Sequence, residues 1–168
     1  MNDAGTILLA EDREDDVLLV QRAFVKGGIR NPLCVVRNGE EAIDYLSGIG
    51  QFSDRASYPF PILLLLDLKM PRMNGFEVLH WIRSQSFLSP LRVIVLTSSE
   101  DIRDVTLAYK LGANSFLVKP LDFNNTVAMA EMITDYWLRL NTAAGPQPLS
   151  TAQQATPLSQ TEKPDSGD

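Results

Sequence analysis

Asp67 closes an almost uninterrupted apolar run, Ile62-Leu63-Leu64-Leu65-Leu66, and opens the stretch Leu68-Lys69-Met70-Pro71-Arg72-Met73-Asn74-Gly75. A run of branched apolar residues bounded by turn residues predicts a strand buried on both faces. A carboxylate at its end then stands at the carboxyl edge of a sheet, where ligands bind in open α/β folds. Pro71 is expected to stop the strand, and Gly75 to permit a tight turn before the next helix. An acidic helix cap is the competing reading of a lone Asp. Glu11 and Asp12 follow a second short apolar run, Ile7-Leu8-Leu9-Ala10. If the two strands are neighbours, Glu11, Asp12 and Asp67 converge on one sheet edge, which is unfavourable unless the acids share a proton or hold a cation. Hard oxygen ligands with water completing the shell suit Mg2+.

Two later strand ends extend the set. Val93-Ile94-Val95-Leu96 runs into Thr97-Ser98-Ser99, and Phe116-Leu117-Val118 runs into Lys119-Pro120. Apolar strands thus end in acid, acid, hydroxyl and ammonium, in that order along the chain. A metal, a lysine and a hydroxyl around a carboxylate form the inventory for stabilising a phosphoryl group. Taken singly, Thr97 reads as part of a helix cap and Lys119 as a surface lysine.

With these marks in place the chain resembles the receiver domains of two-component response regulators. The resemblance rests on Glu11-Asp12, on Asp67 in Asp-Leu-Lys-Met-Pro-Arg-Met-Asn-Gly, on Thr97-Ser98 and on Lys119-Pro120, and it covers roughly residues 6 to 141. In detail the chain is similar to the small stand-alone regulators that partner bacterial phytochromes. The resemblance implies an α/β fold with a doubly wound five-stranded parallel sheet, order 2-1-3-4-5, and helices on both faces. It implies that Asp67 accepts a phosphoryl group from a sensor histidine kinase, such as one of phytochrome type, or from a phosphotransfer protein. Asp12 and Asp67 would ligate Mg2+ directly, Glu11 mainly through water, and Lys69 through its backbone carbonyl. Lys119 would pair with the phosphoryl oxygens, and Thr97 would reach one of them after transfer. Phe116 occupies the position of a switch aromatic, although as a phenylalanine it reads equally as an ordinary core residue. A cis peptide before Pro120 is also implied. Glu11 departs from the commoner Asp-Asp pair.

The elements that must position these residues follow from periodicity. Strands are expected at 6–11, 32–37, 61–67, 91–96 and 114–118, and helices at 14–28, 39–47, 75–86, 100–110 and 122–141. Their alternation predicts a parallel sheet covered on both faces. Val17, Val20 and Phe24 mark the buried face of the first helix, and Asp122 suits the N-cap of the last. His80 falls between Leu79 and Ile82 and is expected to face solvent. The stretch from Ser47 to Pro61 is long for a helix-to-strand connection and reads as an insertion or a functional loop.

The chain has 168 residues and a net charge of −6. That charge, with no Lys/Arg cluster, excludes a nucleic-acid surface. Neither a signal peptide nor a membrane span is visible, so the cytoplasm is the expected location. Cys34, the single cysteine, reads as a buried structural thiol. Residues 1–144 are expected to form the receiver domain. Residues 145–168, rich in Pro, Gln, Ser and Thr, are expected to be a disordered tail.

The last helix carries Phe123, Val127, Ala130 and Trp137 on one stripe and Met129, Met132, Tyr136 and Leu140 on another. At helical spacing these cover roughly 220°, where a core-facing stripe needs somewhat over 100°. A homodimer through this helix is therefore expected, in keeping with the resemblance. No enzymatic role is expected beyond the protein's own phosphorylation and dephosphorylation. An aspartate-nucleophile phosphatase would want a second Asp where Lys69 stands, and a receiver-like scaffold without phosphate would not need Asp12, Asp67, Thr97 and Lys119. A flavin-binding relative would want a phosphate cradle in place of the acidic Arg13-Glu14-Asp15-Asp16.

Overall fold

In the computed structural model, which describes residues 4–140, parallel strands β1 (Ile7–Ala10), β2 (Leu33–Val36), β3 (Leu63–Leu66), β4 (Arg92–Thr97) and β5 (Ser115–Val118) form one sheet. Their order is β2-β1-β3-β4-β5, as expected. The helices between them are α1 (Glu14–Lys26), α2 (Gly39–Ser47), α3 (Gly75–Ser84), α4 (Ile102–Lys110) and α5 (Phe123–Ile133). The expected tail at 145–168 lies outside the described residues.

The period of two along the strands assigns the two cores. Ile7, Leu9, Leu63, Leu65, Ile94 and Leu96 face α1 and α5, where Val17, Val20, Phe24, Val127 and Ile133 meet them. Leu8, Ala10, Leu64, Leu66, Val93 and Val95 face α2, α3 and α4, meeting Tyr45, Val78, Ile82 and Ala108. Because β1, β3 and β4 are covered on both sides, their sequences are apolar throughout. Edge strand β2 is only half covered, and Cys34 on it is half-buried rather than fully buried. His80 is exposed between buried Leu79 and Ile82.

Register fixes the site. Ala10 pairs with Leu66 across β1 and β3, so Glu11 and Asp67 are the next residues on neighbouring strands. The ladder runs on past the strand ends, with the Asp67 amide donating to the Ala10 carbonyl at 3.1 Å and the Lys119 amide donating to the Thr97 carbonyl at 2.8 Å.

Several local expectations are corrected. β3 ends at Leu66, well before Pro71, so the proline shapes the following loop and does not stop the strand. Gly75 makes no left-handed turn; its need for glycine is a close approach, since a Cβ there would lie 2.2 Å from the Asp67 carbonyl oxygen. Gly39, the first residue of α2, is constrained alike, a Cβ falling 2.1 Å from the Met73 carbonyl oxygen. α3 starts on a capping box in which Asn74 and Glu77 each satisfy the other's backbone amide.

The 47–61 segment is neither loose nor near the acids. It contains a short 3-10 turn (Gly50–Phe52), and Tyr45, Phe52 and Tyr58 pack ring against ring with centroids 5.1–6.0 Å apart. Arg55 donates to the carbonyls of Tyr45, Leu46 and Tyr58.

The last helix is not one regular helix to 141. After Ile133 it continues as a π-helical segment, Thr134–Leu140. The Thr134 hydroxyl donates to the Ala130 carbonyl at 2.9 Å, a back-bond of the kind that perturbs a helical ladder. A wider turn breaks the 3.6-residue spacing. Phe123, Val127, Ala130 and Trp137 pack on the core as their stripe predicts, and Met129 joins them from the second stripe, while Met132 and Tyr136 stay exposed. Trp137 also lies under the Arg92 guanidinium at 5.5 Å.

Candidate functional site

Four of the expected residues meet at the carboxyl edge of the sheet, beside the point where the chain order reverses around β1. Carboxylate oxygens of Glu11, Asp12 and Asp67 lie within 4.8 Å of one another. Glu11 and Asp67 are 2% and 5% exposed, whereas Asp12 opens to solvent. Lys119, from the end of β5, reaches across β4 and β3 into this set. Its Nζ donates to Asp67 Oδ2 at 3.0 Å and makes a short contact with Glu11 Oε2. The other Asp67 oxygen, Oδ1, accepts the Leu68 amide at 2.8 Å. Both carboxylate oxygens are therefore held, and the side chain cannot swing away from the edge.

The electrostatics follow from burial and charge sign. Burial pushes the Glu11 carboxyl up to about 7, the Lys119 hydrogen bond pulls against that rise, and the Asp67 charge adds to it. Burial alone would lower the Lys119 pKa. The hydrogen bond it donates to Glu11 and the charge of Asp67 outweigh burial and hold the ammonium above the usual lysine range.

The residues fit a divalent cation. The donors are hard oxygens, two come from nearly buried carboxylates, and Lys119 supplies a single positive charge against them. Small oxygen-liganding ions that retain water suit such an open-sided group. Lys69 is exposed beside Asp67.

Thr97 and Phe116 are placed less directly. Thr97 is fully buried at the end of β4, and its hydroxyl oxygen accepts the Ser99 amide at 3.4 Å; it makes no hydrogen bond to Asp67. Its link to the acids runs through its backbone bond to Lys119. Ser99 in turn donates to Asp104 at 2.5 Å, joining the strand end to α4. Phe116 is half-buried against the core under α2, α3 and α4, and its amide donates to the Tyr109 hydroxyl at 3.1 Å. No cis peptide occurs among the described residues. The Lys119–Pro120 bond is trans, the form favoured for most X–Pro bonds, and Lys119 reaches the acids from it.

Asp16 was not singled out from the sequence. Its Oδ2 accepts from Lys119 Nζ at 3.0 Å. The signal lay in its spacing, four residues beyond Asp12 and within the first turn of α1, but the acids around it read equally as helix-dipole partners.

This site and fold match a known family. Residues 7–131 match the response regulator receiver domain. The structure of RPA3017, a response regulator in red light signalling of R. palustris, superposes with a TM-score of 0.79 at 36% identity, covering 86% of this chain and 99% of that one. The phosphorylated cyanobacterial phytochrome response regulator RcpA superposes with a TM-score of 0.75 at 31% identity, over 86% and 99% of the two chains. The Mn2+-bound form of Rcp1, a response regulator of Synechocystis, gives 0.73 at 34% identity over 85% and 99%. The chain belongs to the response regulator receiver family and is a receiver of two-component signalling, similar to the phytochrome-associated regulators. The site is of the divalent-metal type that these domains carry. Among the described residues no helix is long and apolar enough to cross a membrane.

Proposed function

We propose that Asp67 is the phosphoacceptor and that this protein takes its phosphoryl group from a histidine kinase, of phytochrome type, in the cytoplasm. The observation that carries this reading is Lys119 Nζ 3.0 Å from Asp67 Oδ2. A nucleophilic carboxylate beside a fixed ammonium, at a solvent-open edge, is built for phosphoryl transfer.

In the transfer an Asp67 oxygen forms a bond to phosphorus. The bond from phosphorus to the donor imidazole nitrogen breaks, and the imidazole leaves with that electron pair. The loose transition state puts charge on the equatorial phosphoryl oxygens, and the Lys119 ammonium already stands beside the acceptor oxygen. The Leu68 amide holds the second carboxylate oxygen and fixes the direction of attack. Asp12 and Asp67 would hold Mg2+ directly, Glu11 mainly through water, and the Lys69 carbonyl would complete the protein's share. When bound, the ion neutralises charge on the phosphoryl oxygens. Beyond its own phosphorylation and dephosphorylation the protein catalyses nothing in this reading.

Thr97 accepts the Ser99 amide through its oxygen, which leaves its hydroxyl proton for a phosphoryl oxygen. Drawing Thr97 toward Asp67 would release Ser99, disturb its bond to Asp104 and shift the start of α4. Phe116, lacking a hydroxyl, would take part only by repacking. The output surface is the face of α4, β5 and the last helix, where a second copy of the chain docks.

Labelled acetyl phosphate with Mg2+ tests the assignment: wild type should take up label and Asp67→Asn should not. Equal labelling of the two would sink it.

A further inference from the structure

We propose that Asp16 is a positioning residue of this site, acting through Lys119; the proposal rests on the phosphoacceptor reading of Asp67. An ammonium has three N–H donors and no acceptor. Glu11, Asp16 and Asp67 account for all of them. Glu11 and Asp67 come from the ends of β1 and β3, so they hold the ammonium from the sheet. Asp16 holds it from α1, the helix that packs over the sheet beside α5.

The consequence is geometric. Lysine is a compact charge on a flexible four-carbon stem, so its ammonium faces one target only if its other donors are engaged. Lys119 is largely buried, its side chain 16% exposed, while the Asp16 side chain is 27% exposed. Asp16 thus lies at the solvent rim and closes the side on which the ammonium would otherwise turn outward to water. With that donor and the Glu11 donor fixed, the third N–H is aimed at Asp67 Oδ2, where phosphoryl oxygens gather during transfer. Arg13 Nε, 3.7 Å from the same Asp16 oxygen, is an exposed and weaker partner, which leaves Lys119 as the main one.

A purely helix-stabilising Asp16 would act without regard to Lys119, and this separates the two roles. The full chain is labelled with acetyl phosphate and Mg2+, and initial rates are compared in a double-mutant cycle with melting temperatures measured alongside. Asp16→Asn keeps the shape and one acceptor but loses charge assistance, and should slow labelling about threefold; Asp16→Ala should slow it about tenfold, within the range for neighbours sharing one network. In a Lys119→Met background neither substitution should slow labelling further. Wild-type rates in both single variants, or an undiminished loss in the Lys119→Met background, would overturn the role of Asp16. If the alanine variant melts below the assay temperature, the Asn cycle alone decides. A wild type that takes no label would instead defeat the phosphoacceptor reading, so the two failures are told apart.

Discussion

The backbone of Gly75 rests on the backbone of Asp67: a Cβ at residue 75 would stand 2.2 Å from the Asp67 carbonyl oxygen and 2.8 Å from Leu68 Cα. The Gly75 amide also donates to the Leu68 carbonyl at 2.9 Å. The start of α3 is thereby pressed against the peptide that follows Asp67. Gly75→Ala cannot be absorbed by a flexible side chain, because both neighbours are backbone. It should destabilise the protein by about 1–3 kcal/mol, the usual cost of overpacking, and should slow labelling of Asp67 by displacing the Leu68 amide. Denaturant melts together with labelling rates check this; a variant as stable as wild type would show that the loop yields freely.

Lys119 and Thr97 should separate acceptance from response. Lys119→Ala removes the ammonium that pairs with Glu11 and Asp67, leaving two nearly buried carboxylates uncompensated. Labelling should fall about a hundredfold, and metal-free stability by on the order of 3 kcal/mol. Thr97→Ala leaves every acid in place and should accept label at close to the wild-type rate. It should lose the phosphorylation-dependent change in self-association, since its hydroxyl is the link through Ser99 toward α4. A Thr97→Ala protein that responds like wild type would remove the switch role.

What could be read in the sequence, and what could not, divides along local and non-local lines. The run from Ile62 to Leu66 could hardly be anything but a doubly covered strand, and the residue types at four strand ends specified the acids, the hydroxyl and the lysine. Which carboxylates actually touch Lys119 depends on where α1 lies over the sheet, so Asp16 stayed hidden among its acidic neighbours. Gly75 read as a turn residue because turns and close approaches both select glycine, and only the packing distinguishes them. Helical spacing placed Phe123, Val127, Ala130 and Trp137 on the core side of the last helix correctly, and it misplaced Met129, which packs on that core as well. What spacing could not show is the change to a π-helical ladder after Ile133. The aromatic contacts of Tyr45, Phe52 and Tyr58 turned a segment that looked like an insertion into part of the core's cover.

Divalent metal should stabilise the fold as well as enable chemistry. Glu11, Asp12 and Asp67 repel one another across less than 4.8 Å, and a cation that binds only the folded site relieves that repulsion. Mg2+ at a hundred times its dissociation constant should add about 2.7 kcal/mol, and EDTA should abolish both that gain and labelling. Asp12 is exposed, so Asp12→Asn should fold normally yet show a much smaller rise in melting temperature with Mg2+. An Asp12→Asn protein with an undiminished rise would place the metal elsewhere.

Tyr45 gives the fold an alkaline limit. Burial raises its phenol above the usual range, with Cys34 beside it adding to the rise and the Arg55 charge opposing it. Its hydroxyl donates to the Pro59 carbonyl at 2.9 Å. The unfolded chain ionises this phenol near pH 10, the folded chain only at higher pH. The stabilisation is therefore complete below about pH 10 and is lost as pH rises from there toward the folded-state value. Tyr45→Phe should cost about 1 kcal/mol at neutral pH through the lost hydrogen bond. It should also lose less stability than wild type between pH 10 and higher pH, Lys119 contributing a common loss to both. Parallel alkaline slopes for the two proteins would exclude Tyr45 as the titrating group.

The remaining apolar surface asks for a partner, and its position argues for a second copy. β5 is an edge strand, and around it Met132 and Tyr136 are 52% and 55% exposed, with Tyr109 and Val118 also open. Ser115, Leu117, Met132, Tyr136 and Trp137 line a groove of about 360 Å³ between this edge and the last helix. Singly exposed apolar residues are unremarkable, but a contiguous strip of them beside an uncovered strand edge marks an interaction site. A two-fold pairing buries the same strip on both chains at once, so each copy supplies the apolar cover the other lacks. The strip adjoins α4, whose start is tied to Thr97 through Ser99, so the state of Asp67 should bear on the pairing. Sedimentation of wild type should show a concentration-dependent dimer, and Met132→Glu with Tyr136→Glu should leave a folded monomer that still takes label. A wild type that stays monomeric at high micromolar concentration, with and without phosphorylation, would mean that this face is kept for another protein.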